Sequence, residues 1–180
     1  AGKRAMALRP DNAGCLSNLG NALCDQSRID EAMDCQRRAF ALTPDDLTIR
    51  RNLAVACREA GFFSEAYDHF HALAKQLPND VKLAWEQAMC LLYQGDYARG
   101  WPAFESRRGL PEMKNHAPHL PLWQGEDLAG KKILVTEEQG FGDTLLCSRY
   151  LPLMIERVGS QGQVTLACKQ PLHLLLSKIT

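Results

Sequence analysis

Residue types and spacing come nearest to chemistry in Glu137 to Leu151, EEQGFGDTLLCSRYL. A β-branched and apolar run, Lys132-Ile133-Leu134-Val135-Thr136, precedes it. The chain then turns on Gly140 and Gly142 and enters an amphipathic segment through Asp143-Thr144. Strand, glycine turn and acidic helix start predict the entry to a βαβ unit. Glycines in that place invite a dinucleotide reading, and the details argue against it. G-F-G-D lacks the third glycine, and Asp143 stands where the helix N-terminus would receive a pyrophosphate. A carboxylate there repels the ligand while satisfying free backbone N–H groups and the helix dipole. The second expected strand, Gln163 to Cys168, leads into Lys169 rather than an acid that could hold a ribose. A metal reading of His116 and His119 in H-A-P-H is also weak. Pro118 prevents the helical spacing that would align two ligands, and no third ligand is obvious nearby.

The elements upstream are helical and repetitive. Pro10, Pro44 and Pro78 recur at a spacing of 34, each followed by Asp or Asn. At the same offset Leu19 pairs with Leu53, Leu23 with Cys57 and Leu91, Ala32 with Ala66, and Gly61 with Gly95, Ser27 standing in the first copy. This is the period of a helix-turn-helix array. Helices are expected over 13–26, 29–42, 47–60, 63–76, 81–94 and 97–108, in repeats near 11–44, 45–78 and 79–108, with the tail of another repeat over 1–10. Small residues inside each pair let antiparallel helices approach, and no repeat buries its apolar face alone. Asn18-Leu19-Gly20, Ala32, Ala39 and Pro44 resemble the tetratricopeptide repeat, as do Ala54, Ala66, Phe70 and Pro78. Ala88, Gly95, Tyr97 and Phe104 carry a degenerate third copy.

In arrays of this kind the first helix of each pair lines a concave groove. That resemblance places Ser17, Asn18, Asn21 and Asp25, then Arg51, Asn52, Arg58 and Glu59, on the groove. Asn18 and Asn52 match the asparagine ladder with which O-linked N-acetylglucosamine transferase arrays hold extended peptides. An amide donates and accepts at once, which suits a peptide backbone; the alternative is that each Asn bonds only its neighbouring repeat. The lysines of a carboxylate clamp are not at the corresponding positions. The third copy presents Trp85, Met89, Leu92 and Tyr93, with Glu86 in the place of the asparagine. That apolar surface is expected either to pack against the C-terminal domain or to form a binding patch.

A connector over 109–131, broken by Pro111, Pro118, Pro121, Gly125 and Gly130, leads to the C-terminal unit. Trp123 is expected to anchor it to a core. Within the unit a crossover helix carries Leu146, Tyr150, Leu151, Met154, Ile155 and Val158, kinked at Pro152, and Pro171 opens a last helix. Together these predict an α-solenoid followed by a partial α/β Rossmann-like unit over 132–180.

Trp123, Gly125, Leu128-Ala129-Gly130-Lys131, Glu138-Gln139-Gly140, Gly142-Asp143-Thr144 and Arg149-Tyr150-Leu151-Pro152 resemble the N-terminal lobe of bacterial tetratricopeptide-linked glycosyltransferases, relatives of the heptosyltransferases. Leu146-Cys147 and Glu137 depart from the pattern. The resemblance implies a GT-B type lobe with Asp143 as general base toward an acceptor hydroxyl, the alternative being a helix cap. Glu138, Gly140, Gly142 and Thr144 fall at its acceptor-side or loop positions. A nucleotide-sugar donor would need a second lobe, so no cofactor is expected on this chain and activity would be incomplete. The alternative is a stand-alone peptide-binding module with no enzymatic role.

Bulk properties bound the partners. Residues 1–108 carry 14 charges of each sign and residues 109–180 carry 7 of each, which argues against nucleic acid or an anionic membrane. No apolar run approaches the roughly 20 residues that span a bilayer. Seven cysteines, an odd number with no C-x-x-C pair, fit a reduced, cytoplasmic protein. Both ends read as cuts from a longer chain, and an open sheet edge would favour a homodimer. The groove partner is expected to be a protein or peptide.

Overall fold

The computed structural model describes residues 12–111, 113, 119–138 and 140–178. It divides into two compact units, Ala1–Pro111 and Glu112–Thr180. Pro10, His116, Pro118, Gln139 and Ile179, named above, lie outside the described residues, as does the expected partial repeat over 1–10.

The first unit is a run of helices: α1 (Ala13–Cys24), α2 (Ile29–Leu42), α3 (Leu47–Glu59), α4 (Phe63–Gln76), α5 (Val81–Tyr93) and α6 (Tyr97–Phe104). The 34-residue period sets where they begin. Asn12, Asp46 and Asp80, each 34 from the next, are the N-caps of α1, α3 and α5. Asn12 Oδ1 accepts from Cys15 N at 2.9 Å, Asp46 Oδ1 from Thr48 N at 2.8 Å and Asp80 Oδ1 from Lys82 N at 3.1 Å. Each bond satisfies an N–H that the helix leaves without an internal partner. The turn inside each pair needs a left-handed residue, supplied by Ser27 (φ 58), Gly61 (φ 82) and Gly95 (φ 81).

Packing is between neighbours, with α1 also reaching α3. The core is built from Leu16, Leu53, Phe70, Leu73 and Leu83, with Ala32, Ala39, Ala54, Ala66 and Ala88 at the close approaches, all at most 2% exposed. Gly100 takes the place of Ala66 in the third copy, because a Cβ there would lie 2.6 Å from Leu92 Cδ2. The last helix is shorter than its periodicity predicts. Pro102 lies inside α6 and removes an amide donor, and past Phe104 the chain tightens into a 3-10 segment, Glu105–Gly109.

The second unit contains a two-stranded parallel sheet, β1 (Lys132–Thr136) and β2 (Gln163–Ala167), paired from Lys132↔Gln163 to Thr136↔Ala167. The crossover is not one kinked helix but two, α7 (Phe141–Ser148) and α8 (Leu151–Val158). Pro152 falls in the first turn of α8, where a missing N–H costs nothing, so the chain breaks and restarts there instead of bending through the proline. The expected apolar stripe divides accordingly. Leu151 and Val158 are buried, whereas Leu146 and Tyr150 are exposed by half. Pro171 opens only a 3-10 turn, Gln170–Leu172, before the short α9 (His173–Leu176). Trp123 is 45% exposed rather than sunk in a core. Its Nε1 donates to Glu126 O at 2.8 Å, and its ring borders a hollow with Leu122, Leu128 and Leu134.

Candidate functional site

The first helices of the first two repeats, α1 and α3, lie side by side and border a hollow of about 600 Å³. Asn18 and Asn52, which occupy equivalent positions 34 residues apart, both line it, with Asn12, Ser17, Thr43 and Asp46. Asn18 is exposed, and its side chain makes no hydrogen bond among the described residues. Asn52 is half-buried and donates from Nδ2 to Ser17 Oγ at 2.9 Å. Asn52 therefore does bond its neighbouring repeat while still reaching the hollow.

Ser17 was expected on the open groove surface; only 3% of it is exposed. It belongs to a buried polar cluster that the sequence reading missed. The centre of the cluster is Gln36 on α2, fully buried. Gln36 Nε2 donates to Ser17 O at 3.0 Å and to Asn21 Oδ1 at 2.8 Å, and Ser17 Oγ donates to Gln36 Oε1 at 3.0 Å. A sequence signal for it existed: Gln36 stands at the offset of Phe70 and Phe104, a polar residue in an aromatic core register. It fits because Gly20 faces it, where Ala54 and Ala88 stand in the later copies.

The arginines of the groove are engaged elsewhere. Arg51 donates to Asp80 Oδ2 at 2.6 Å, joining the second repeat to the cap of the third. That bond holds the Asp80 carboxyl below its usual range, against the opposing effect of burial. Arg58 pairs with Glu86, a carboxylate only 5% exposed, and with Glu59 Oε1 at 2.8 Å. Thus Glu86, which replaces the asparagine in the third copy, turns to Arg58 and ends the amide series after two repeats. Asp25 is exposed. In the third copy Trp85, Met89 and Leu92 are half-buried, and Tyr93 is 55% exposed and stacked on Phe63 at 4.9 Å.

The glycine loop of the second unit is a separate candidate. Asp143 is the third residue of α7, and its Oδ2 accepts from Gly140 N at 3.2 Å, closing the helix start. Thr144 is buried, donating to Gly140 O at 3.1 Å, with Glu137 Oε2 3.5 Å from the same hydroxyl. Glu137 is the residue here that sequence reasoning undervalued. Its Oε2 also accepts from Lys169 N at 3.1 Å, and its Oε1 lies 3.6 Å from Lys169 Nζ, so it clasps the C-terminal ends of β1 and β2. Asp143, Gly142 and Glu138 are exposed. Among the described residues no group of three or more His, Cys, Asp or Glu side chains is placed to hold a metal ion.

Comparison with known proteins agrees with the helix-pair geometry. Residues 12–43 match the tetratricopeptide repeat family model. Protein FlbA of Caulobacter vibrioides is 33% identical over 106 residues, covering 56% of this chain and 17% of FlbA. Among solved structures, MamA AMB-1 superposes with a TM-score of 0.53 at 25% identity, over 64% of this chain and 63% of that one. MamA MSR-1 gives 0.54 at 26% identity, over 62% and 64%. The chain thus spans under a fifth of FlbA and just under two thirds of the MamA chains. No described helix is long and apolar enough to cross a membrane. Caps, left-handed turns and small core residues at one period of 34, together with the matched first repeat, make residues 13–104 an array of helix pairs like that of tetratricopeptide repeat proteins.

Proposed function

We propose that the chain acts as a protein-interaction scaffold that takes an extended polypeptide segment along α1 and α3. One observation carries this reading. Two amides at equivalent positions of successive repeats, Asn18 and Asn52, line a single hollow, while the arginines beside them are consumed by ion pairs. Among the described residues the hollow is lined by amides, hydroxyls and the Asp46 cap and by no guanidinium, which favours neutral main chain over acidic side chains or a terminal carboxylate. The function needs no cofactor, and seven unpaired thiols suit a reducing, cytoplasmic setting. The outer edges of β1 and β2, unpaired among the described residues, favour association with a second copy. A chain that stays monomeric by light scattering at every concentration removes that part.

The groove is tested by selecting a random-peptide phage library on the full chain and on an Asn18→Ala/Asn52→Ala double variant. Binders that depend on both asparagines support the reading. Binders indifferent to them, or none, sink it.

A second reading rests on Asp143, an exposed carboxylate on a glycine loop just beyond the C-terminal end of β1. On that reading residues 132–178 open a glycosyltransferase lobe in which Asp143 is the base. Reading the coding sequence past Thr180 tests it: further βαβ units favour the lobe, and an immediate stop codon leaves Asp143 a helix cap.

A further inference from the structure

We infer that Gln36 and Ser17 are positioning residues that fix which end of the Asn52 amide faces the groove. The hollow then accepts a main-chain N–H from its peptide at Asn52, while Asn21, exposed on α1 outside the hollow, keeps its NH2 as a donor. This rests on the peptide-groove reading and adds polarity to it.

Donor and acceptor accounting gives the direction. An amide's oxygen and nitrogen are assigned from their partners, so the chain of bonds must start from a group with only one role. That group is the main-chain carbonyl of Ser17, which can only accept. Gln36 Nε2 lies 3.0 Å from it and is therefore the nitrogen. The second Nε2 proton goes to Asn21 at 2.8 Å, which makes the facing Asn21 atom the oxygen and leaves its NH2 pointing outward. Gln36 Oε1 must then accept, so the Ser17 hydroxyl spends its one proton on it at 3.0 Å. With that proton spent, Ser17 Oγ can only accept from Asn52 at 2.9 Å, which makes the facing Asn52 atom the nitrogen. Asn52 Oδ1 remains as the acceptor on the side of the hollow that Asn52 lines. Gln36 is fully buried and Ser17 is 3% exposed, so water does not compete for either. Neither the second nor the third repeat can do the same. Phe70 and Phe104 stand at the Gln36 position and Arg51 and Trp85 at that of Ser17. The polarity is therefore confined to the junction of the first two repeats.

The experiment uses the full chain and two probes, an acetyl-capped alternating Ala-Ser octapeptide amide and its analogue with alternate amides replaced by esters. Each ester removes one N–H donor and keeps the extended shape. Side-chain amide NMR of the unaltered chain comes first. Both Gln36 Nε2 protons and one Asn52 Nδ2 proton should resist exchange with solvent, and free exchange overturns the relay without any variant. Titration is then read on the Asn18 and Asn52 side-chain resonances. The unaltered chain should bind the amide peptide about fivefold more tightly than the ester, one hydrogen bond's worth. Ser17→Ala frees Asn52 to turn over and should bring that ratio close to one. A loss of helix stability alone would lower both affinities and leave the ratio unmoved. A ratio unchanged in Ser17→Ala overturns the relay alone. If neither probe shifts the asparagine resonances of the unaltered chain, the groove reading falls and this inference falls with it.

Discussion

Gly20→Ala should destabilise the protein although alanine is the better helix former. A Cβ at Gly20 would lie 2.6 Å from Gln36 Nε2 and 2.9 Å from its Cδ and Cγ. A comfortable contact needs about 3.5 Å, so the Gln36 side chain must retreat by about 1 Å. Its bonds to Ser17, at 3.0 Å, do not survive that displacement. Gln36 is fully buried, so no water replaces them. Leaving such groups unsatisfied costs about 1–3 kcal/mol each, against a gain of about 1 kcal/mol from Ala over Gly within a helix. With two bonds lost, the net is a loss of about 1–5 kcal/mol, read as a lower urea midpoint by far-UV circular dichroism. The sign should invert in a Gln36→Ala background, where nothing is left to collide and only helix propensity remains. Gly14→Ala on the same helix is the control, since its Cβ meets only Asn12 Oδ1 at 3.4 Å. If Gly20→Ala is as stable as the parent, or more so, Gln36 is not held rigidly and the reasoning fails.

The same geometry gives three further expected outcomes. Arg58→Met strands the Glu86 carboxylate, 5% exposed, and should cost about 3–5 kcal/mol in urea unfolding, whereas Glu86→Gln should cost far less. Asp80, held below its ordinary 3.8 by the Arg51 hydrogen bond, contributes stability that is full above that value. It is lost as pH falls through the lowered folded value, so Arg51→Gln should flatten acid unfolding only in that acidic window. Burial pushes the Cys57 thiol up to about 12 and the Cys90 thiol to about 11, while Cys147 is exposed. A thiol reagent at neutral pH should therefore modify Cys147 first and Cys57 and Cys90 only after denaturation, as tracked by mass spectrometry.

The array was legible in the sequence because its physics is local and repeated. Prolines followed by Asn12, Asp46 and Asp80 announce three helix starts, and small residues at the same offsets announce where helices meet. The expected helix starts agree throughout and the ends fall within two residues, except where Pro102 ends α6 four residues early. The sequence placed polar residues on the first helix of each pair but could not name their partners. Arg51 and Arg58 look like uncommitted cations until folding brings Asp80 and Glu86 of the next repeat against them. A hydrogen bond between helices leaves no periodic trace, so the Gln36 cluster shows only as an exception, a glutamine where the next copies have phenylalanine. The second unit was harder for a different reason. Periodicity says that residues share a helix face, not that anything covers the face. Leu146 and Tyr150 fit the stripe and stay half exposed, whereas Glu137, outside every pattern, ties the two strand ends together. Exceptions to the repeat therefore carry more about function than agreement with it. Among the described repeats, the position where a polar residue, Gln36, stands in place of the core aromatic is also where the amides of Asn21 and Asn52 are joined to it, directly and through Ser17.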